Sequence, residues 1–239
     1  MGVSTNSSIP NATIEAIARS LFKETAQYGF RQVDYLRFVN VLLDMSMKNG
    51  INPEKMNSEN VIYDPKKMVT LPLVGERVKV REFVIEKDKP HYDKWVADKD
   101  GRHFLISRIT AKTTEIGGLI KSDQNIIGVI ILNNSEETPI GLLAFFDYDK
   151  VQRKAELRKL IGEPEFRGKG LAKEATKLWI QFGISNLGLK KIYLNTIDTN
   201  IRNIKLNEEL GFKVEGILRN ECLVDGKYHD VLKMSYLSE

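Results

Sequence analysis

Arg167-Gly168-Lys169-Gly170-Leu171-Ala172 joins two different patterns. Before it, Ala155 to Ile161 reads as an apolar strand. From Leu171 onward, Leu171, Ala175, Leu178, Trp179 and Phe182 recur at helical spacing, and the stripe reads as core packing. The hexapeptide is therefore a strand-to-helix turn. Its two glycines let backbone approach a ligand with no Cβ in the way. The new helix starts with unpaired N–H groups and partial positive charge, and Arg167 and Lys169 add two full charges. Such a turn is a cradle for an anion, above all a phosphate or diphosphate.

Counting separates the phosphate loops. A nucleoside-triphosphate loop wants Gly, four residues, then Gly-Lys-Ser/Thr. Here five residues separate Gly162 from Gly168, and Gly170 stands where the hydroxyl belongs. The dinucleotide pattern Gly-x-Gly-x-x-Gly fails at Lys173. Arg/Gln-x-x-Gly-x-Gly/Ala is matched in full by residues 167–172.

Further segments accompany that match: Pro164-Glu165-Phe166 before the loop, a strand from Leu189 to Thr196, and Asn200 leading a helix to Gly211-Phe212. Asp225 to Asp230 then opens a final strand. In this order the chain resembles the GNAT superfamily of N-acetyltransferases, nearest the branch acting on ribosomal-protein termini, polyamines and amino sugars. The resemblance is dense from about 139 to 237, thinner over 77–139, and absent before that.

The resemblance implies acetyl-CoA as acyl donor and a primary amine as acceptor. It implies cofactor binding by Ile161, Gly162, Arg167, Gly168, Lys169, Gly170, Leu171, Ala172, Asn200, Asn203 and Asn207. In the family, backbone N–H groups just before the loop serve the acyl oxygen and the pantetheine arm, which maps onto Ile161 and Gly162. Glu156 is the first candidate for the catalytic base and Glu163 the second. Glu156 has a structural alternative, a pair with Arg158 on the same strand face. Many relatives carry tyrosine where this chain has Asn207. Asparagine can donate a hydrogen bond to sulfur but cannot deliver a proton, so no acid is assigned. Asn200 also suits a helix N-cap, and Arg202 and Lys205 read as solvated helix charges. The acceptor is expected to be an amino sugar or a protein N-terminus, lined by roughly 88–122 and 215–230. A polycation site would be acid-rich, and no acidic cluster stands before residue 150. A rival reading is a non-catalytic acyl-CoA-binding module whose N-terminal helices dock a partner.

Composition sets limits. The 239 residues hold 42% hydrophobic and 28% charged side chains, ordinary for a globular chain with one good-sized core. No apolar run approaches the ~18 residues of a membrane span. The opening residues lack a secretory pattern, and Asn6 defeats a myristoylation reading of Gly2. One cysteine, Cys222, fits a reducing compartment and a small strand residue, so a cytoplasmic location is expected. Three histidines, at 91, 103 and 229, lack zinc spacing, and no metal is expected. The net charge of +4 is spread out, without the clustered stripe that nucleic acid requires.

Along the chain, 1–10 is polar. Ile14, Ile17, Ala18, Leu21, Phe22 and Thr25 suggest a helix that Tyr28-Gly29-Phe30 breaks. Gln32 to Lys48 suggests a second, ended by Asn49-Gly50, and together they form an αα-hairpin. Residues 51–76, with three prolines and a glycine, read as a linker. A strand is expected over Val78–Ile85, helices over His91–Ala97 and Thr113–Lys121, and strands over 125–132, 140–146 and 155–161. Helix 171–185, strand 190–196, helix 200–210 and strands 213–219 and 228–237 follow. The fold class is α/β (α+β): a mixed, mostly antiparallel sheet flanked by helices, with an N-terminal helical hairpin. The expected domains are 1–70, extension and linker, and 71–239, the GNAT-like domain. The hairpin's apolar face could pack on its own domain, build a homodimer or cover the acceptor pocket.

Overall fold

A computed structural model describes residues 11–48, 63–98, 116–197 and 200–238. The chain divides into two compact units, 1–57 and 58–239.

The first unit is the helical hairpin. Helices α1 (Asn11–Ala26) and α2 (Gln32–Lys48) are joined through Gly29, whose φ of 72° is the left-handed region where glycine carries no Cβ penalty. Phe22 stacks on Tyr35 at 5.3 Å, and Thr25 Oγ1 donates to Tyr35 Oη at 2.8 Å. Ile14, Phe22, Val39, Val41 and Leu42 are exposed. The expected helix end at Asn49-Gly50 lies outside the described residues.

The second unit is built on one sheet of eight strands in the order β1-β2-β3-β4-β5-β6-β8-β7. They are β1 (Leu73–Val74), β2 (Val78–Glu82), β3 (Ile126–Leu132), β4 (Pro139–Asp149), β5 (Lys154–Ile161), β6 (Lys191–Ile197), β7 (Lys213–Val224) and β8 (Lys227–Leu237). The runs Ile-Ile-Gly-Val-Ile-Ile-Leu in β3 and Ile-Gly-Leu-Leu-Ala-Phe-Phe in β4 are buried on both faces, as their unbroken apolar character requires. Neighbours pair antiparallel except β5 and β6, which run parallel. A parallel pair needs a crossover, and α5 (Leu171–Ser185) supplies it, with the bounds expected from its apolar stripe. Trp179 of α5 is fully buried and stacks on Phe145 of β4 at 5.4 Å; Phe182 and Ala175 are buried beside it.

The opposite face is covered by α3 (Ile85–Ala97) and α4 (Ile116–Ile120). Their Tyr92, Trp95, Ile116 and Leu119 form one core with Leu142, Ala144, Phe146 and Leu160. The expected strand over 78–85 stops at Glu82, and α3 begins six residues before the expected His91. The cause is Asp88, which accepts from the Val84 N–H at 2.8 Å and takes both arms of the Arg81 guanidinium at 2.7 and 2.8 Å. That closes the first helical turn against β2. β7 runs on to Val224, where Asp225-Gly226, both at positive φ, turn the chain into β8.

The linker reading changes from residue 63 onward. Gln181 Nε2 donates to Asp64 O at 2.6 Å, Asn186 exchanges two bonds with Val69, and Tyr63 packs edge-on against Tyr236. Residues 63–76 are therefore strapped to the second unit. Residues 51–62 lie outside the described residues. Cys222 is buried beside Ile197 and Val231. Among the described residues, no helix is long and apolar enough to cross a membrane, and no three His, Cys, Asp or Glu side chains gather as metal ligands.

Candidate anion cradle and sheet wedge

The turn after β5 holds both of its glycines in the left-handed region, Gly168 at φ 75° and Gly170 at φ 79°. Gly170 is the N-cap of α5, and no side chain caps it. The first helical bond runs from Glu174 N–H to Gly170 O at 3.2 Å. The N–H groups of Leu171, Ala172 and Lys173 therefore precede the ladder, as an anion site requires. Residues 168–170 are exposed, Leu171 is buried and Ala172 half-buried.

The two cations of the turn behave differently from each other. Lys169 stays exposed, its Nζ 5.3 Å from the Phe166 ring centroid. Arg167 folds back. Its Nε donates to Ile161 O at 3.0 Å, and its Nη2 to Gly162 O at 3.0 Å and Asp98 Oδ2 at 2.9 Å. Its charge is engaged by the strand end and by α3. The guanidinium that does stand over the loop is that of Arg77, the residue before β2. Its Nη1 donates to Lys169 O at 3.0 Å, its Nε to Glu174 Oε2 at 2.9 Å, and its Nη2 lies 3.4 Å from where a Cβ on Gly170 would be. Burial alone would raise the Glu174 carboxyl; hydrogen bonds from Arg77 and from the Val78 N–H hold it below its ordinary value. Arg77 lies far from the loop in sequence, so no local pattern marks it.

Beside the cradle the sheet opens. β5 and β6 share three rungs, Lys154–Lys191, Ala155–Ile192 and Glu156–Tyr193. Beyond them, Leu157 to Ile161 pair with β4 alone. Gly162 N–H donates to Ile140 O at 2.8 Å. Antiparallel residues alternate their amides, so the Ile161 amide faces away from β4, into the wedge. The expected donor role thus fits Ile161, while Gly162 is corrected: its amide belongs to β4. The reason for glycine there is steric, because a Cβ would lie 2.1 Å from Trp95 Cγ.

The candidate bases sit on the α3 face. Glu156 is buried, accepts from Arg158 Nη2 at 2.7 Å and from Asn195 Nδ2 at 2.6 Å, and Arg158 is buried with it. This is the ion pair that the strand spacing allows. Glu163 accepts from Lys94 Nζ at 2.7 and 2.8 Å and from Trp95 Nε1 at 2.9 Å. Lys94 first, and then Trp95, hold its carboxyl below the usual range.

On α6 (Ile201–Glu209), Asn200 is the N-cap, its side chain accepting from Asn203 N at 3.2 Å. Asn203 Nδ2 donates to Thr196 Oγ1 at 3.1 Å. Asn207 is fully buried; its Oδ1 accepts from Lys159 Nζ, and its Nδ2 lies 3.9 Å from Met234 Sδ. Asn207 is thus engaged inside the protein, and Lys159 is the polar group at the wedge that sequence reading missed. The signal was present: Lys159 interrupts the apolar row Ala155, Leu157, Ile161.

Residues 77–213 match the family model described as acetyltransferase (GNAT) domain. Over 104 residues the chain is 38% identical to spermidine N(1)-acetyltransferase of Escherichia coli, covering 41% of this chain and 55% of that protein. The Vibrio cholerae spermidine N(1)-acetyltransferase is 33% identical over 107 residues, 45% of this chain and 61% of that one. The chain thus spans little more than half the length of these curated relatives. The solved structure of the Vibrio cholerae spermidine N-acetyltransferase in complex with CoA and spermine superposes with a TM-score of 0.57 at 24% identity. It covers 67% of this chain and 95% of its own, a likeness of fold.

Proposed function

This chain belongs to the GNAT acetyltransferase family, and from that premise we propose that it moves an acetyl group from acetyl-CoA to a primary amine. The observation that carries this is the left-handed glycine turn that leaves the α5 N–H groups open beside the wedge between β5 and β6. Leu171, Ala172 and the Gly168–Gly170 backbone would hold the diphosphate, with Arg77 and Lys169 supplying charge. Ile161 would present its amide to the acyl end. Asn200 and Asn203 act by shaping the α6 N-terminus beside it. When bound, acetyl-CoA supplies an acyl group activated as a thioester.

The acceptor amine must be neutral to attack, and an ordinary alkyl amine has a pKa of about 10. Glu156, paired with Arg158 on the α3 face, is the candidate base for that proton. The names of the relatives support a polyamine as the first acceptor to assay, ahead of the amino sugar or protein N-terminus favoured by the sequence. Much of the expected acceptor lining, 99–115, lies outside the described residues.

Calorimetry with acetyl-CoA, followed by thiol release with spermidine, an amino sugar and a short peptide, tests the reading. Binding with turnover of at least one amine supports it. Binding without turnover of any amine favours a non-catalytic acyl-CoA-binding module, and no binding overturns both.

A further inference from the structure

Lys159 is the ionisable member of an apolar row. Ala155, Leu157, Lys159 and Ile161 alternate onto the face of the sheet that carries α5 and α6. Leu143 stands opposite Lys159 in β4, and Ala155 and Leu157 are buried. The last rung to β6 is at Glu156, so Lys159 lies in the open limb of the wedge. Its ammonium has three donors to satisfy, and the bond that holds it goes to a neutral amide oxygen, Asn207 Oδ1.

Several charges on the neighbouring elements pair with one another. Lys173 of α5 pairs with Glu209 of α6 at 2.7 Å, Arg158 of β5 with Glu156, and Lys191 of β6 with Glu215 of β7. Lys205 of α6 is exposed, and β8 contributes Met234. Desolvation, then the like charge of Arg158, push the Lys159 pKa down to about 7. A free thiol lies near ~8.5, so a proton passing from this ammonium to a thiolate runs downhill.

Resting on the acetyl-transfer reading above, we infer that Lys159 is the general acid that protonates the departing sulfur, with Asn207 as the positioning residue that holds its Nζ. As the amine nitrogen bonds to the acyl carbon, the C–S bond breaks and its electron pair goes to sulfur. One N–H of Lys159 passes to that sulfur, giving the thiol and a neutral lysine. The acceptor's proton leaves to water, and Lys159 regains one from solvent, so the cycle closes without net proton uptake.

The test has a readout that needs no turnover. Lysine labelled at Cε is titrated by NMR in the protein without acetyl-CoA, the Lys159 resonance being assigned by its loss in Lys159→Arg. A midpoint near about 7 is expected; one near the ordinary ~10.4 overturns the inference. In kinetics, Lys159→Gln is expected to lower kcat by roughly 10²–10⁴-fold and to abolish the alkaline limb of the pH profile. Acetyl-CoA affinity by calorimetry stays unchanged, which also reports an intact fold. Asn207→Asp sets a carboxylate against the ammonium and is expected to move that limb upward. Turnover and limb that both survive Lys159→Gln overturn this inference alone, as does mass-spectrometric acetylation of Lys159 by acetyl-CoA without an amine. An unmutated chain that binds no acetyl-CoA overturns the functional reading as well.

Discussion

At Gly162 a single absent methyl group lets the Trp95 indole lie flat on the strand end, and the same indole donates to Glu163. Gly162→Ala forces this contact apart and should cost about 1–3 kcal/mol in urea unfolding. Glu156 supports a sharper test. Glu156→Gln leaves the Arg158 guanidinium buried without its counter-charge, a loss of roughly 3–5 kcal/mol. A base acting only on the acceptor would lower kcat while leaving the unfolding midpoint in place, so the two measurements together assign its role. The Glu156–Arg158 pair was legible because strand residues two apart share a face. The Gly162–Trp95 contact was not, because it depends on how a remote helix docks.

Elements were legible where their signal was local. The apolar stripe of α5 marked both of its ends, and the two glycines marked its open N-terminus. The start of α3 was lost because Asp88 overrode an alternating pattern through a partner on β2, and propensity carries no trace of that contact. The same limit hid Arg77 and the inward contacts of Arg167. The two arginines therefore separate by experiment. Arg77→Gln should weaken acetyl-CoA binding and flatten its dependence on ionic strength, with little change in melting temperature. Arg167→Gln should lower the melting temperature first, because it releases Ile161, Gly162 and Asp98. Gly170→Ala forces a Cβ into the left-handed region at a cost of about 1–2 kcal/mol and should weaken acetyl-CoA binding as well.

For the molecule as a whole, the division at 57/58 predicts that a chain begun at Ser58 keeps its eight-stranded sheet and its acetyl-CoA affinity, read by circular dichroism and calorimetry. Loss of either would assign the hairpin a part in the site. Global stability also carries a pH signature. Lys159 titrates low in the folded state and near its ordinary value when unfolded, so the unfolded chain binds more protons between about 7 and 10.5. Its contribution therefore becomes more favourable as pH rises through that window, and Lys159→Met should flatten that slope in thermal melts. The sheet has a further consequence. Five strands on one side and three on the other are stitched by the rungs at Lys154, Ala155 and Glu156, like a book held at one corner of its spine. A molecule seated in the gap would join both pages, so deuterium uptake across 157–161 and 194–197 should slow in concert when acetyl-CoA is added, while the outer strands β2 and β3 keep their rates.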